Sequence, residues 1–137
     1  IAIEVMIDGK RVTLIDDAYN ANPSSMRASI EALGLRPAGR KVAVLGDMLE
    51  LGDLAESMHA QLSEDLIQNR IDKVYLVGSL MQALWQRLSP AVWGAITVTA
   101  AEMIPILKRD LKDGDVVLVK ASHGTGLGLI IQELKGK

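Results

Sequence analysis

After its first seventeen residues the chain alternates four times between a continuous apolar run and a segment of helical period. The runs are KVAVLG, DKVYLVG, AITV and VVLVK, and none shows the in–out alternation of a half-wet strand. A strand that is apolar at every position must be covered on both faces, which is the condition of a mostly parallel sheet with crossover helices. The intervening segments supply those helices. One opens at Pro23 or Ser24 and runs to about Leu33, with Asn22 as N-cap and Met26, Ile30 and Leu33 on one face. Others are expected over about Leu54 to Asn69, through SLMQALWQRL, and over about Ala100 to Leu111. A last one, TGLGLIIQELK, is weakened at its start by glycines. The opening is different: IAIEVMI and RVTLIDD flank Asp8-Gly9, a two-residue hairpin signal. The expected fold is therefore α/β, a doubly wound, Rossmann-like, mostly parallel sheet with an N-terminal antiparallel hairpin.

At 137 residues the chain suits one domain, residues 1–137, with enough length for a real core. The absence of cysteine excludes disulfides and thiolate metal sites. A net charge of -2 leaves no basic footprint for nucleic acid, and no apolar run of membrane-spanning length exists. The chain opens inside a strand without methionine or signal-peptide pattern, which suggests a fragment of something longer.

In doubly wound sheets ligands sit beyond the carboxyl ends of the strands. Four segments occupy such places: DDAYNANPSS, GDMLELG, GSL and KASHGTGLG. In the first, Asn22 and Pro23 are accounted for by helix capping, whereas Tyr19 and Asn20 could stack on or bond to a ring. Asp47 stands where a strand-end carboxylate would grip a ribose hydroxyl pair, while Glu50 and Asp53 could simply favour the next helix start. His59, alone on a helix, reads as structural more readily than catalytic. In the last segment Lys120 and His123 offer positive charge, Ser122 a hydroxyl, and the glycines close backbone approach to an anion. The glycine spacing is not a dinucleotide fingerprint. There is no phosphate loop, no metal-ligand cluster and no nucleophile elbow.

Taken together, DDAYNANPSSMRASIEALG, VAVLGDMLELGDLAESMH and VVLVKASHGTGLGLIIQELK resemble, in that order and spacing, the C-terminal domain of the Mur ligase family. The branch resembled is the one that adds D-alanyl-D-alanine to UDP-MurNAc-tripeptide in cell-wall precursor synthesis. The likeness covers essentially the whole chain. Related branches carry a histidine in the Asn-Pro turn where this chain has Ala21. The resemblance implies a three-domain, ATP-dependent amide ligase: a carboxylate becomes an acyl phosphate, the dipeptide amine attacks it, and ADP and phosphate leave. It implies that ATP and Mg2+ are held mainly by a central domain carrying the phosphate loop, so this fragment alone is expected to be inactive. It places Asn20, Asn22 and Asp47 on the nucleotide, and Lys120, Ser122 and His123 toward the dipeptide, with no metal ligands here. A cytoplasmic monomer, binding neither nucleic acid nor membrane, is expected. One departure stands out: the branch more often reads K-G-S-R where this chain has Ala121 and His123. Arginine is a permanent bidentate partner for a carboxylate and histidine is not.

Two other readings remain open. The chain could belong to another Mur ligase or a folylpolyglutamate synthase, which the missing upstream pocket would decide. It could also be a Rossmann-like binding module without catalysis, which a parent chain lacking a phosphate loop would favour.

Overall fold

The structure is a computed structural model describing residues 2–136; Ile1, which the sequence reading includes in the first strand, lies outside the described residues. Strands β1 (Ala2–Ile7) and β2 (Lys10–Asp17) pair antiparallel about the Asp8-Gly9 turn. Both turn residues have positive φ, 49° and 80°, as a primed two-residue turn requires. The chain continues through α1 (Pro23–Gly34), β3 (Lys41–Gly46), α2 (Ala55–Gln68), β4 (Lys73–Val77), α3 (Gln82–Trp85), β5 (Trp93–Thr97), α4 (Ala100–Asp110), β6 (Val116–Lys120) and α5 (Leu127–Leu134).

The six strands order as β1-β2-β6-β3-β4-β5, and every pair after the hairpin is parallel. Alternate residues of each central strand feed two separate cores. Val42, Val44, Val117 and Val119 pack beneath α4 and α5 with Met103, Leu107, Ile130 and Leu134. Ala43, Leu45, Val116 and Leu118 pack beneath α1 and α2 with Met26, Ile30, Leu62 and Leu66. This is why the strands read as unbroken apolar runs. Among the described residues no helix is long and apolar enough to cross a membrane.

β6, last in sequence, is inserted between β2 and β3. The carboxyl ends of β2, β6 and β3 are therefore neighbours although their residues are far apart in sequence. Helices leave this edge toward opposite faces, α1 and α2 to one and α5 to the other, which makes it the switch point of the sheet.

Two expectations need correction. SLMQALWQRL is not one amphipathic helix but a 3-10 turn, Ser79–Met81, and a single α turn, Gln82–Trp85. Trp85 explains the early stop: its ring stacks on Trp93 at 4.6 Å and 7°, and its carbonyl accepts Trp93 Nε1 at 3.1 Å. Likewise α5 begins at Leu127 rather than Thr125, because Gly124 and Gly126 have φ of 97° and 85°.

Candidate functional site

Successive strand residues point to opposite faces, so Asp16 and Asp17 part company at the end of β2. Asp16 turns toward α5, with Lys135 Nζ at 4.0 Å. Asp17 turns toward α1, where its Oδ2 accepts from Ser29 Oγ at 2.8 Å and from Lys120 Nζ at 2.7 Å. Lys120 also donates to the carbonyl of Asn20 at 3.0 Å. The lysine is 3% exposed, so its charge is almost wholly dehydrated and depends on these partners.

Ser122, also buried, ties three loops together. Its hydroxyl has one proton, which goes to the carbonyl of Ala21 at 3.1 Å, and its oxygen accepts from the Leu49 N–H at 2.9 Å. Its own N–H donates to the carbonyl of Asp47 at 3.2 Å. The segments after β2, β3 and β6 thus meet at one hydroxyl. Asn22 caps α1: its Oδ1 accepts from the Ser25 N–H at 2.9 Å, and Ser25 Oγ accepts from the Asn22 N–H at 3.0 Å. Asn20 is exposed beside it, as is Tyr19 at 68%.

Asp47 leaves β3 toward β4 and rests on the turn at Gly78. A β-carbon there would come within 2.3 Å of the carboxylate, and Gly78 has φ of 115°. Asp47 Oδ1 is buried without a hydrogen-bond partner. Burial pushes this carboxyl above the usual range, against the pull of the Leu80 and Met81 amides. An orphaned buried carboxylate oxygen is costly in a finished protein and suits an acceptor awaiting a hydroxyl donor.

His123 and the glycines lie elsewhere on the same edge. With Tyr19, Gln132 and Lys135, His123, Gly124 and Gly126 line an open groove of about 730 Å3. Gly126 gives α5 no side-chain cap, and Gly126, Leu127 and Gly128 at the start of the helix line this groove. The structure therefore divides the sequence-predicted residues. Asn20, Asn22, Lys120 and Ser122 cluster on the α1 side, Asp47 sits over Gly78, and His123 opens onto the groove. Among the described residues no group of three or more potential metal ligands exists.

Sequence reasoning passed over Asp17 and Gly78 as individual residues, and read His59 as structural without its partner. Asp17, the partner of Lys120, was hidden in a run of two aspartates whose faces only the strand assignment separates. Gly78 was visible as a glycine after a strand, but the close approach it permits is set by Asp47 from another strand. His59, fully buried, bonds the loop that carries Asp47: its Nε2 accepts the Met48 N–H at 2.9 Å.

A sequence description of the family called Mur ligase, glutamate ligase domain, matches residues 3–123. The UDP-N-acetylmuramoyl-tripeptide--D-alanyl-D-alanine ligase of Mycobacterium leprae is 35% identical over 91% of this chain and 28% of its own length. The protein of the same name from Bacillus subtilis is 32% identical over 96% of the chain and 30% of its length. Two solved structures are similar throughout. MurF ligase from Thermotoga maritima in complex with ADP has a TM-score of 0.80 at 31% identity, over 98% of this chain and 30% of that one. MurF from Acinetobacter baumannii has a TM-score of 0.82 at 32% identity, over 100% of this chain and 30% of that one. The chain spans less than a third of the length of these relatives.

Proposed function

The chain belongs to the Mur ligase family, and we propose that it works as the C-terminal domain of an ATP-dependent ligase joining D-alanyl-D-alanine to UDP-N-acetylmuramoyl-tripeptide. The observation that carries this is the likeness of 98% of the chain, at 31% identity, to an ADP-bound ligase of that kind. The names of the curated relatives favour the dipeptide over glutamate as the incoming group.

In this reading the tripeptide carboxylate takes the terminal phosphoryl group of ATP, releasing ADP. The dipeptide amine then attacks the acyl phosphate and phosphate leaves. The residues of this chain bind and orient. Asp47 Oδ1 accepts a hydroxyl of the nucleotide ribose, which supplies the partner it lacks. Asn20 and the N-cap turn at Asn22 flank the base and ribose. His123 and the N–H groups before α5 meet the dipeptide carboxylate in the groove. Ser122 serves that end by holding the loops in register rather than by a free donor, since its proton is already committed to Ala21, and Lys120 steadies the same loops through Asp17 and Asn20. In this reading magnesium and the phosphates of ATP are held by the rest of the protein. Use of ATP suits a cytoplasmic enzyme.

The test is Asp47→Ala in the full-length ligase. Loss of a charge-assisted hydrogen bond, about 1.5–3 kcal/mol, should raise the ATP KM roughly tenfold or more with little change for the dipeptide. An unchanged ATP KM with lost dipeptide binding would assign Asp47 to the wrong ligand.

A further inference from the structure

His59 is fully buried on α2, and the reaction outlined above does not use it. Both ring nitrogens are engaged: Nε2 lies 2.9 Å from the Met48 nitrogen and Nδ1 lies 2.6 Å from the Ala55 carbonyl oxygen. A backbone N–H can only donate and a carbonyl can only accept. The ring is therefore held as the neutral tautomer with its proton on Nδ1. An imidazolium here would set N–H against N–H.

The bond to Met48 matters because of where Met48 stands. Its neighbour Asp47 carries the orphaned oxygen, and its other neighbour, Leu49, donates its N–H to Ser122 Oγ at 2.9 Å. Two consecutive amides are thus held by side chains from two distant elements, α2 and the loop after β6. Beyond them the chain turns through Glu50 and Gly52, with φ of 64° and 59°. A non-glycine residue at positive φ persists only where its surroundings enforce it. With Asp47 against Gly78 on one side and Ser122 on the other, the Met48 amide is the point where α2 grips the loop. Met48 itself is fully buried, so its own side chain anchors the same point in the core.

We infer that His59 is a positioning residue of the nucleotide site: through Nε2 it fixes the Met48 amide and thereby the aim of the Asp47 carboxylate. The inference rests on the reading of Asp47 as a nucleotide contact. It assigns His59 no contact with substrate.

The experiment uses the full-length ligase with 15N-labelled histidine, the variants His59→Phe and His59→Gln, and Asp47→Ala in parallel. Glutamine can present Oε1 near the place of Nε2 and keep the Met48 bond; phenylalanine fills the space without it. The wild-type 15N spectrum should show Nε2 unprotonated. Finding the proton on Nε2 would overturn the inference without any variant, and covers the case in which His59→Phe does not fold. Hydrogen exchange at Met48 should quicken in His59→Phe and return toward wild type in His59→Gln. The nucleotide KM should rise about fivefold in His59→Phe, as for one lost hydrogen bond, and recover in His59→Gln, while the dipeptide KM and kcat hold within about twofold. Equal loss of all kinetic constants in both variants would make His59 a packing residue only. If Asp47→Ala raises the nucleotide KM and His59→Phe does not, the inference falls and the Asp47 reading stands. If the reverse holds, Asp47 loses its assignment and the inference falls with it, leaving His59 as a brace of the loop alone.

Discussion

A β-carbon on Gly78 would lie 2.3 Å from Asp47 Cγ, so the turn after β4 admits the carboxylate only because residue 78 has no side chain. The same glycine has φ of 115°, which an L side chain rarely adopts. Gly78→Ala should therefore cost about 2–4 kcal/mol, part backbone strain and part overpacking. In an Asp47→Ala background the cost should shrink by roughly 1 kcal/mol or more, because the clash is gone. Denaturant midpoints of the four proteins in this cycle measure the coupling. Equal costs in both backgrounds would leave backbone strain as the whole effect.

Asp47 also gives the protein a pH dependence of unusual sign. Burial raises its pKa in the folded state, so the native protein holds this proton more tightly than the unfolded chain. The stabilising contribution is present at low pH and is lost as pH rises through the folded pKa. Asp47→Asn carries no such charge. It should melt at higher temperature than the parent at pH 7, and the gap should close on acidification toward the ordinary Asp value of about 3.9. A gap that widens in acid would show that the ionised form is the favoured one.

Asn22 caps α1 and in the proposed function also flanks the nucleotide; serine separates the two. Asn22→Ala should destabilise by about 1 kcal/mol through loss of the cap, whereas Asn22→Ser should keep stability within a few tenths. If the asparagine amide also touches the nucleotide, Asn22→Ser should still raise the ATP KM. A serine variant with wild-type kinetics would leave Asn22 as a cap alone.

Lys120 and His123 should respond in opposite ways. Lys120→Met removes the buried partner of Asp17 and a donor to Asn20, and Asp17 keeps 40% side-chain exposure to soften the loss. A stability cost of about 2–3 kcal/mol is expected, below the figure for a fully buried broken pair. His123→Arg, on the exposed groove wall, should change stability by less than about 0.5 kcal/mol. Its dipeptide KM should stay level or fall, since arginine carries its charge at every working pH. A raised dipeptide KM in His123→Arg would place the carboxylate elsewhere.

The sequence by itself determined the element order, the hairpin and the two-sided burial of the sheet. Those properties are local: Asp8-Gly9 sets its own φ values, Asn22-Pro23 starts its own helix, and a strand with no polar position declares that both faces are covered. It also singled out the carboxyl edge of the strands, whose loops are polar or glycine-rich, and the structure brings those of β2, β6 and β3 side by side. It failed for SLMQALWQRL, whose helical period is real but is cut short by the stacking of Trp85 on Trp93, a contact made across the strand edge.

Only the tertiary structure decided what each polar residue at that edge does. Lys120 and Ser122 look like donors offered to a ligand, and the insertion of β6 between β2 and β3 brings the lysine against Asp17 and Asn20 and the hydroxyl against Ala21 and Leu49. Asp47 and Gly78 come from different strands, and the fit between them exists only when β3 and β4 pair in register, with Gly46 opposite Val77. His59 gave no sign of its task beyond being alone. The reason is common to all three: a side chain's chemistry belongs to its own sequence, but whether that chemistry is spent inside the protein or left for a ligand depends on neighbours as far as 103 residues away in the chain.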